Sequence, residues 1–457
     1  MPKLFGTDGV RGVAGQELTA GLAYRLGFVL AEVLAKKDEE RKKIIIGKDT
    51  RISGDMLESA IASGLTAAGG DVYLAGVIPT PAVPYLVLHE KADIGVMISA
   101  SHNPSEYNGI KFFNQDGYKL SDEIEDQIEA LLDQCDSLPQ ATHGKIGRIT
   151  FRPDLKDAYI SMISDILSKT KGKGKKKIAF DLANGSSSAT ARQIFTTENT
   201  YGFETAFLSF MPDGLNINAD CGSTHLSQLS RFVKENHFDA GFAFDGDADR
   251  CLAVDENGDE IDGDKIIALI ADDMMKKGTL HNNTAVVTCM TNLGFHLMAK
   301  EKGMQVKSTA VGDRYVLEEM LKNGYNIGGE QSGHIILTDY ATTGDGELTA
   351  AVLLGILASN PEKNASELFS CMKSLPQVLI NAKVPNSVKK TIAADPDVVK
   401  AIGEAEKALN GYGRVLLRPS GTEALIRIML EGRDTAELKK LGESIHEVIQ
   451  KKVCGQQ

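Results

Sequence analysis

The segment Phe244-Asp245-Gly246-Asp247-Ala248-Asp249-Arg250 sets three carboxylates at alternate positions. When such a backbone curls, their oxygens turn toward one centre, and small Gly246 and Ala248 keep the curl sterically cheap. Oxygen ligands of this kind suit a hard cation, which points to magnesium in an enzyme. Two other readings share the pattern. A calcium EF-hand loop also opens Asp-x-Asp-x-Asp, and Glu256 falls at its twelfth position, but its sixth position needs glycine and holds Arg250. The flanks 242–244 and 251–254 also read as strands where that loop requires helices. The last alternative is a solvated acidic turn.

A second segment, Ile98-Ser99-Ala100-Ser101-His102-Asn103-Pro104, precedes Asn108-Gly109-Ile110-Lys111 and puts Ser101 at the end of a buried strand, 94–98. A serine hydroxyl is a weak nucleophile until a base or metal activates it. One that carries phosphate can instead donate a phosphoryl group if a cation spreads the charge. A helix cap or serine turn is the structural alternative. In Gly328-Gly329-Glu330-Gln331-Ser332-Gly333-His334, a spacing of two lets Glu330, Ser332 and His334 face one ligand from an extended loop. Such donors and acceptors suit sugar hydroxyls, and a glycine-rich turn with a structural histidine is the alternative. Arg418-Pro419-Ser420-Gly421-Thr422-Glu423, followed by Arg427, joins guanidinium groups to small hydroxyls and exposed N–H groups. It reads as a phosphate nest or a solvated turn. Arg11 stands among the glycines of 5–12, and Gly312-Asp313-Arg314 adds another cation. Thr342-Thr343-Gly344-Asp345-Gly346 reads as structural. His89, His143, His225, His237, His281, His296 and His446 join no metal-spaced cluster.

The elements that must hold these loops follow one grammar of β-branched run, polar loop and amphipathic helix. Ile44-Ile45-Ile46 runs into 47–54, then Met56-Leu57, Ala60-Ile61 and Leu65 recur at helical spacing. Lys177-Ile178-Ala179-Phe180 runs into 181–186, and Ala285-Val286-Val287-Thr288 into 290–294. This alternation predicts α/β domains with largely parallel sheets, whose ligand loops sit at the carboxyl ends of strands, so these three loops are candidate site walls. A chain of 457 residues should divide into about three or four domains. Breaks are expected near 149–155, 255–258 and 365–375, an exposed Gly/Lys-rich loop at 171–177, and a final helix over 435–452. A formal net charge of −12 argues against a nucleic-acid binder. Six scattered cysteines fit neither a zinc site nor a disulfide framework. With no signal-peptide pattern and no membrane-length apolar run, a soluble cytoplasmic protein is expected.

Taken together and in order, Ser-Ala-Ser-His-Asn-Pro, Asp-Gly-Asp-x-Asp-Arg, Gly-Glu-x-Ser-Gly-His and Arg-x-Ser-Gly-Thr-Glu resemble the α-D-phosphohexomutase superfamily, from about Phe5 to Glu431. The resemblance implies a heart-shaped chain of four domains around one cleft. Three similar α/β domains, 1–152, 153–254 and 255–368, would precede a smaller α+β domain, 369–457. It implies an isomerase that passes a phosphate through a phosphoserine at Ser101, with magnesium on Asp245, Asp247, Asp249 and an oxygen of that phosphate. Glu330 and Ser332 would read sugar hydroxyls. Arg418, Ser420, Gly421 and Thr422 would clamp the distal phosphate, with Arg11 and Arg427 also on the substrate. Lys111, Arg250 and His334 would line the reacting centre. A hexose 1,6-bisphosphate would be intermediate and activator, and a homodimer is implied. The opening Phe-Gly-Thr-Asp-Gly-x-Arg-Gly, the string 47–54 and Gln331 resemble the branch that interconverts glucosamine 6-phosphate and glucosamine 1-phosphate. A phosphomannomutase or phosphoglucomutase is the alternative. A non-catalytic sugar-phosphate binder and a metal phosphatase are rivals from other classes. Three positions depart from the family pattern: Ala248 replaces a glycine, Ala424 a proline whose loss should loosen the phosphate loop, and Leu182 a cysteine.

Overall fold

The computed structural model describes residues 4–6, 8–35, 41–169, 175–196, 198–200, 202–420 and 423–455. It divides into two compact units, the first from 1–290 and 304–371, the second from 291–303 and 372–457. Among the described residues four sheets form. In the first, Lys43–Lys48, Asp71–Val77, Ile94–Ile98 and Ile149–Phe151 pair in parallel. The aliphatic side chains of Lys43–Lys48 and Ile94–Ile98 are buried, covered by helices such as Ser53–Ala67, which turns Leu57, Ile61 and Leu65 inward at the expected spacing, while Ile149 and Phe151 stay exposed. Met56, expected on the same face, is 38% exposed.

The sheets are less uniformly parallel than the alternation of elements predicts. In the first, Ile94–Ile98 continues into antiparallel Tyr107–Phe113, which in turn pairs Val10–Val13. In the second, Ala240–Phe244 is parallel to Lys177–Asp181 but antiparallel to Cys251–Asp255. In the third, Ile327–Gly329 is parallel to Thr284–Thr288 but antiparallel to Ile335–Leu337. A parallel return needs a crossover of a dozen residues or more, whereas an antiparallel return needs only a short turn. The Ser101 loop, the aspartate loop and the Glu330–His334 loop are therefore the same feature three times. Each is the hairpin turn at the carboxyl end of a parallel strand.

The second unit carries an antiparallel sheet of Gln377–Lys383, Leu425–Glu431 and Arg414–Pro419, covered by the helix Thr435–Gly455, three residues longer than expected. Ala382, Ile426, Ile428, Leu438, Ile445 and Ile449 form its core. From Thr291 the third candidate wall, 290–294, belongs to this unit. Asn292 there caps the helix Leu293–Lys302 and donates to the Leu375 carbonyl at 3.0 Å. Of the Gly/Lys-rich run, 171–174 lie outside the described residues, and Lys176 is buried, donating to the Lys363 carbonyl at 2.8 Å.

Thr342–Gly346 ends in a buried cap. Asp345 accepts the Leu348 N–H at 2.9 Å and opens the helix Gly346–Ser359, while the Tyr159 hydroxyl donates to both its oxygens at 3.0 and 3.1 Å. Thr190 donates to nearby Glu347 at 2.7 Å. Burial raises the Asp345 carboxyl to about 7 and pushes Glu347 well above its usual value. A raised acid contributes stability below its unfolded pKa of about 4, and that contribution is lost as pH rises through about 7. The urea midpoint should therefore fall more between pH 5 and pH 8 in the wild type than in Asp345→Asn. Equal changes would contradict the assignment.

Candidate active site

Ser101 stands in the left-handed region, φ 53°, and is 2% exposed. For a residue with a Cβ this conformation costs of order 1 kcal/mol and persists only where surroundings impose it. Arg51 supplies that constraint. Its guanidinium donates to the carbonyls of Ser101 at 2.9 Å, Asn103 at 2.8 Å and Tyr107 at 3.0 Å, to that of Pro104, and to Asp49 at 2.9 Å. Asp49 also accepts the Ser99 hydroxyl at 2.7 Å, and Ser99 in turn accepts the Ser101 N–H at 2.9 Å. From the loop that follows the strand Glu204–Leu208, the Asn218 side chain donates to the Ser101 carbonyl at 2.9 Å. Removing a buried cation leaves its carboxylate and carbonyls unpaired, so Arg51→Met should cost about 3–5 kcal/mol and unpin Ser101. Urea denaturation and enzyme rate together check this. A variant of wild-type stability would contradict it.

The Ser101 hydroxyl donates to Asp245 at 2.6 Å. Asp245, Asp247 and Asp249 are buried, and one carboxylate oxygen from each lies within 4.8 Å of the others. Ala248, at φ 56°, makes the curl that turns them inward. A Cβ on Gly246 would stand 2.7 Å from the Ser101 carbonyl, so glycine lets the two turns touch. Gly333, at φ 92°, does the same against the Cys251 carbonyl. Glu256, the EF-hand's twelfth position, instead accepts the Ser366 N–H at 3.0 Å. The strands flanking the loop likewise fit no EF-hand.

Cations surround the carboxylates. Lys111 Nζ donates to Asp247 at 2.7 Å and lies 3.6 Å from Asp249. Thr80 adds a hydroxyl to Asp247 at 2.6 Å. Arg250 donates its backbone N–H to Asp245 at 3.2 Å, and its Nε is buried without a hydrogen-bond partner. His334 lies 3.7 Å from Asp249 through Nδ1 and 3.6 Å from Asp313 through Nε2. Burial opposes its charge, but these carboxylates outweigh burial and raise the imidazole to about 9. The Gly344 N–H points at Nε2 from 3.3 Å and donates to it whenever that nitrogen carries no proton. Burial likewise opposes ionisation of Asp249, yet Lys111 and His334 hold it well below the usual carboxylate range. Burial, then Asp249 and Asp247, push Asp245 well above that range. Three buried carboxylates this close cannot all ionise without a further cation.

The residues fit a divalent metal. Asp247 Oδ1 and Asp249 Oδ1 are buried without hydrogen-bond partners, and the donors are all oxygen.

The other expected contacts are distributed as follows. Glu330 accepts the Gly312 N–H at 3.1 Å, Ser332 is exposed, and Gln331 donates to Asp262 at 3.0 Å. Arg11 donates to Asp8 at 3.1 Å. In the second unit Arg418 is exposed, paired in register with Arg427, which donates to Glu423 at 2.8 Å. Ser420 accepts the Glu423 N–H at 3.1 Å, and its carbonyl takes Lys389 Nζ. The Ala424 carbonyl accepts the Val384 N–H at 2.9 Å. Gly421 and Thr422 lie outside the described residues. Arg51 and Asp49 fall within a string noted in the sequence but without a role. Thr80 and Asn218 are single polar residues with no local signal.

This chain belongs to the phosphoglucomutase/phosphomannomutase family. It matches alpha/beta/alpha domain I over residues 2–138, domain II over 157–258, domain III over 262–375 and the C-terminal domain over 379–448. Within that family it is 52% identical over 455 residues to a phosphoglucosamine mutase of Caldicellulosiruptor saccharolyticus, covering 99% of this chain and 100% of the relative. It is 50% identical, at the same coverage, to one of Acetivibrio thermocellus. Among solved structures it resembles a phosphoglucomutase/phosphomannomutase family protein of Burkholderia thailandensis, with a TM-score of 0.81 at 23% identity over 98% of this chain and 97% of that one. It also resembles the N-acetylphosphoglucosamine mutase of Aspergillus fumigatus in complex with GlcNAc-6P and magnesium, at 0.67 and 18%, over 98% and 96%.

Proposed function

We propose that this isomerase interconverts glucosamine 6-phosphate and glucosamine 1-phosphate through a phosphoserine at Ser101 and a hexosamine 1,6-bisphosphate, which also serves as activator. The observation that carries the reading is identity of about half over the full chain to relatives named phosphoglucosamine mutase. Its domains are taken as 1–152, 153–254, 255–368 and 369–457. Among the described residues no helix is long and apolar enough to cross a membrane, in keeping with a place in the cytoplasm, supplying a hexosamine 1-phosphate to cell-wall precursor synthesis.

Asp245, Asp247, Asp249 and an oxygen of the Ser101 phosphate would hold magnesium. When bound, it offsets their charge and polarises the phosphoryl group. A phosphoserine of about −1.5 to −2 charge beside three carboxylates needs that offset. The sugar hydroxyl oxygen attacks phosphorus, the bond from phosphorus to Ser101 Oγ breaks, a base takes the hydroxyl's proton and Oγ regains one. Lys111, Arg250 and His334 line this centre and balance the charge on the moving group. The bisphosphate then turns over and returns its other phosphate to Ser101. Glu330 and Ser332 hold sugar hydroxyls in both orientations. Arg418, Ser420, Gly421 and Thr422 clamp whichever phosphate is distal, with Arg11 and Arg427 adding positive charge.

Loss of one charged hydrogen-bond donor costs about 1.5–3 kcal/mol, so Arg418→Ala should raise KM for the sugar phosphate roughly 10- to 100-fold with a smaller change in kcat. An unchanged KM would remove Arg418 from the clamp. The reading itself is tested by assaying glucosamine 6-phosphate, glucose 1-phosphate and mannose 1-phosphate with magnesium and a trace of hexose bisphosphate. Preference for the amino sugar is expected. Preference for a neutral sugar would move the enzyme to the phosphomannomutase/phosphoglucomutase branch.

A further inference from the structure

Lys119 belongs to none of the motifs that carry the chemistry, yet it links two residues assigned to substrate, Arg11 and Glu330, with His334 of the reacting centre. Its Nζ donates to Asp8 Oδ1 and to Asp313 Oδ2, each at 2.7 Å. The other oxygen of Asp8 takes Arg11 at 3.1 Å. Asp313 opens the helix Asp313–Asn323, and the preceding residue, Gly312, gives its N–H to Glu330. The Asp313 oxygen that meets Lys119 also lies 3.6 Å from His334. We propose that Lys119 is a positioning residue for the sugar site, setting through its two carboxylates where Arg11, Glu330 and His334 stand. The inference rests on the mutase reading.

The neighbouring links do not replace it. Arg314 to Asp122 is an ion pair between side chains 38% and 55% exposed, a kind that contributes little. The Thr342 hydroxyl adds one neutral bond to the Gly117 carbonyl at 2.8 Å. Lys119, at 24% exposure, holds carboxylates 31% and 17% exposed, so it is a more enclosed ion pair than Arg314 with Asp122. A cavity of about 360 Å³ lined by Asp8, Lys111, Lys119 and Arg314 lies alongside. A severed bridge therefore has room to open. Without the ammonium, Asp8 and Asp313 repel, the turn at Gly312 shifts, and Glu330 loses its donor. Displacements of about 1 Å at such residues cost up to about 100-fold in rate.

The test is steady-state kinetics of the full chain on glucosamine 6-phosphate, comparing wild type, Lys119→Met, Asp313→Asn and the double variant. KM should rise about tenfold or more in each single variant, and kcat should fall by up to about 100-fold as His334 shifts. The double variant should cost less than the two single effects combined, because both singles lose the bond between Lys119 and Asp313. The thermal shift produced by magnesium should stay at its wild-type size. A purely structural lysine would lower stability and leave KM alone. Unchanged KM in both singles, or effects that add in the double variant, would overturn the inference while wild-type turnover keeps the mutase reading. If Lys119→Met does not fold, the KM of Asp313→Asn decides. A wild type that does not isomerise the sugar phosphate overturns the mutase reading and this inference with it.

Discussion

Ser101→Ala should keep its fold and lose mutase turnover by about three orders of magnitude or more, since a covalent carrier has no substitute in the site. The fold should survive because the left-handed turn is held by backbone carbonyls on Arg51 and Asn218, which the substitution leaves in place. Alanine tolerates φ 53° no worse than serine does. What disappears is the hydroxyl that now donates to Asp245. Ser99 is the nearest other hydroxyl in the loop, but it is fully buried, donating to Asp49 and accepting the Ser101 N–H. It cannot reach a substrate without dismantling the turn. Turnover of Ser101→Ala near the wild-type rate would remove Ser101 as carrier and with it the proposed chemistry.

The second large effect is expected from Asp247→Asn. The amide keeps the shape of the side chain and its bond from Thr80, but removes one of the charges that fit the residues to a divalent cation. It also deprives Lys111 of its closest partner. A ligand present at about 100 times its Kd stabilises a protein by about 2.7 kcal/mol. Magnesium should therefore raise the melting temperature of the wild type and leave that of Asp247→Asn unmoved, with mutase rate down about 100-fold or more. The unliganded variant should not be much less stable, because neutralising one of three crowded carboxylates relieves repulsion as Lys111 loses its pair. An equal magnesium shift in both proteins would place the cation elsewhere.

The parts of this site that were legible in the sequence are those confined to one turn. Asp245, Asp247 and Asp249 lie within five residues, so spacing alone argues their shared face. The alternation of strand and helix was legible for the same reason. The direction of the return strands was not: Tyr107–Phe113, Cys251–Asp255 and Ile335–Leu337 are short runs whose side-chain pattern suits either direction. The supports were not legible either, because their partners are remote. Arg51 lies 50 positions from Ser101, Asn218 lies 117 from it, Thr80 lies 167 from Asp247 and Lys119 lies 194 from Asp313. No local pattern marks such residues, and only the folded chain shows that a lone threonine or lysine is committed.

The most direct test of the central claim follows the phosphate itself. Enzyme labelled with radioactive phosphate on the peptide carrying Ser101 would be chased with unlabelled glucosamine 6-phosphate in magnesium and sampled on the timescale of one turnover. The label should leave Ser101 at least as fast as kcat, pass through hexosamine 1,6-bisphosphate and appear in the monophosphates. Label that stays on the protein while isomer forms, or that leaves only as inorganic phosphate, would contradict a phosphoserine mutase.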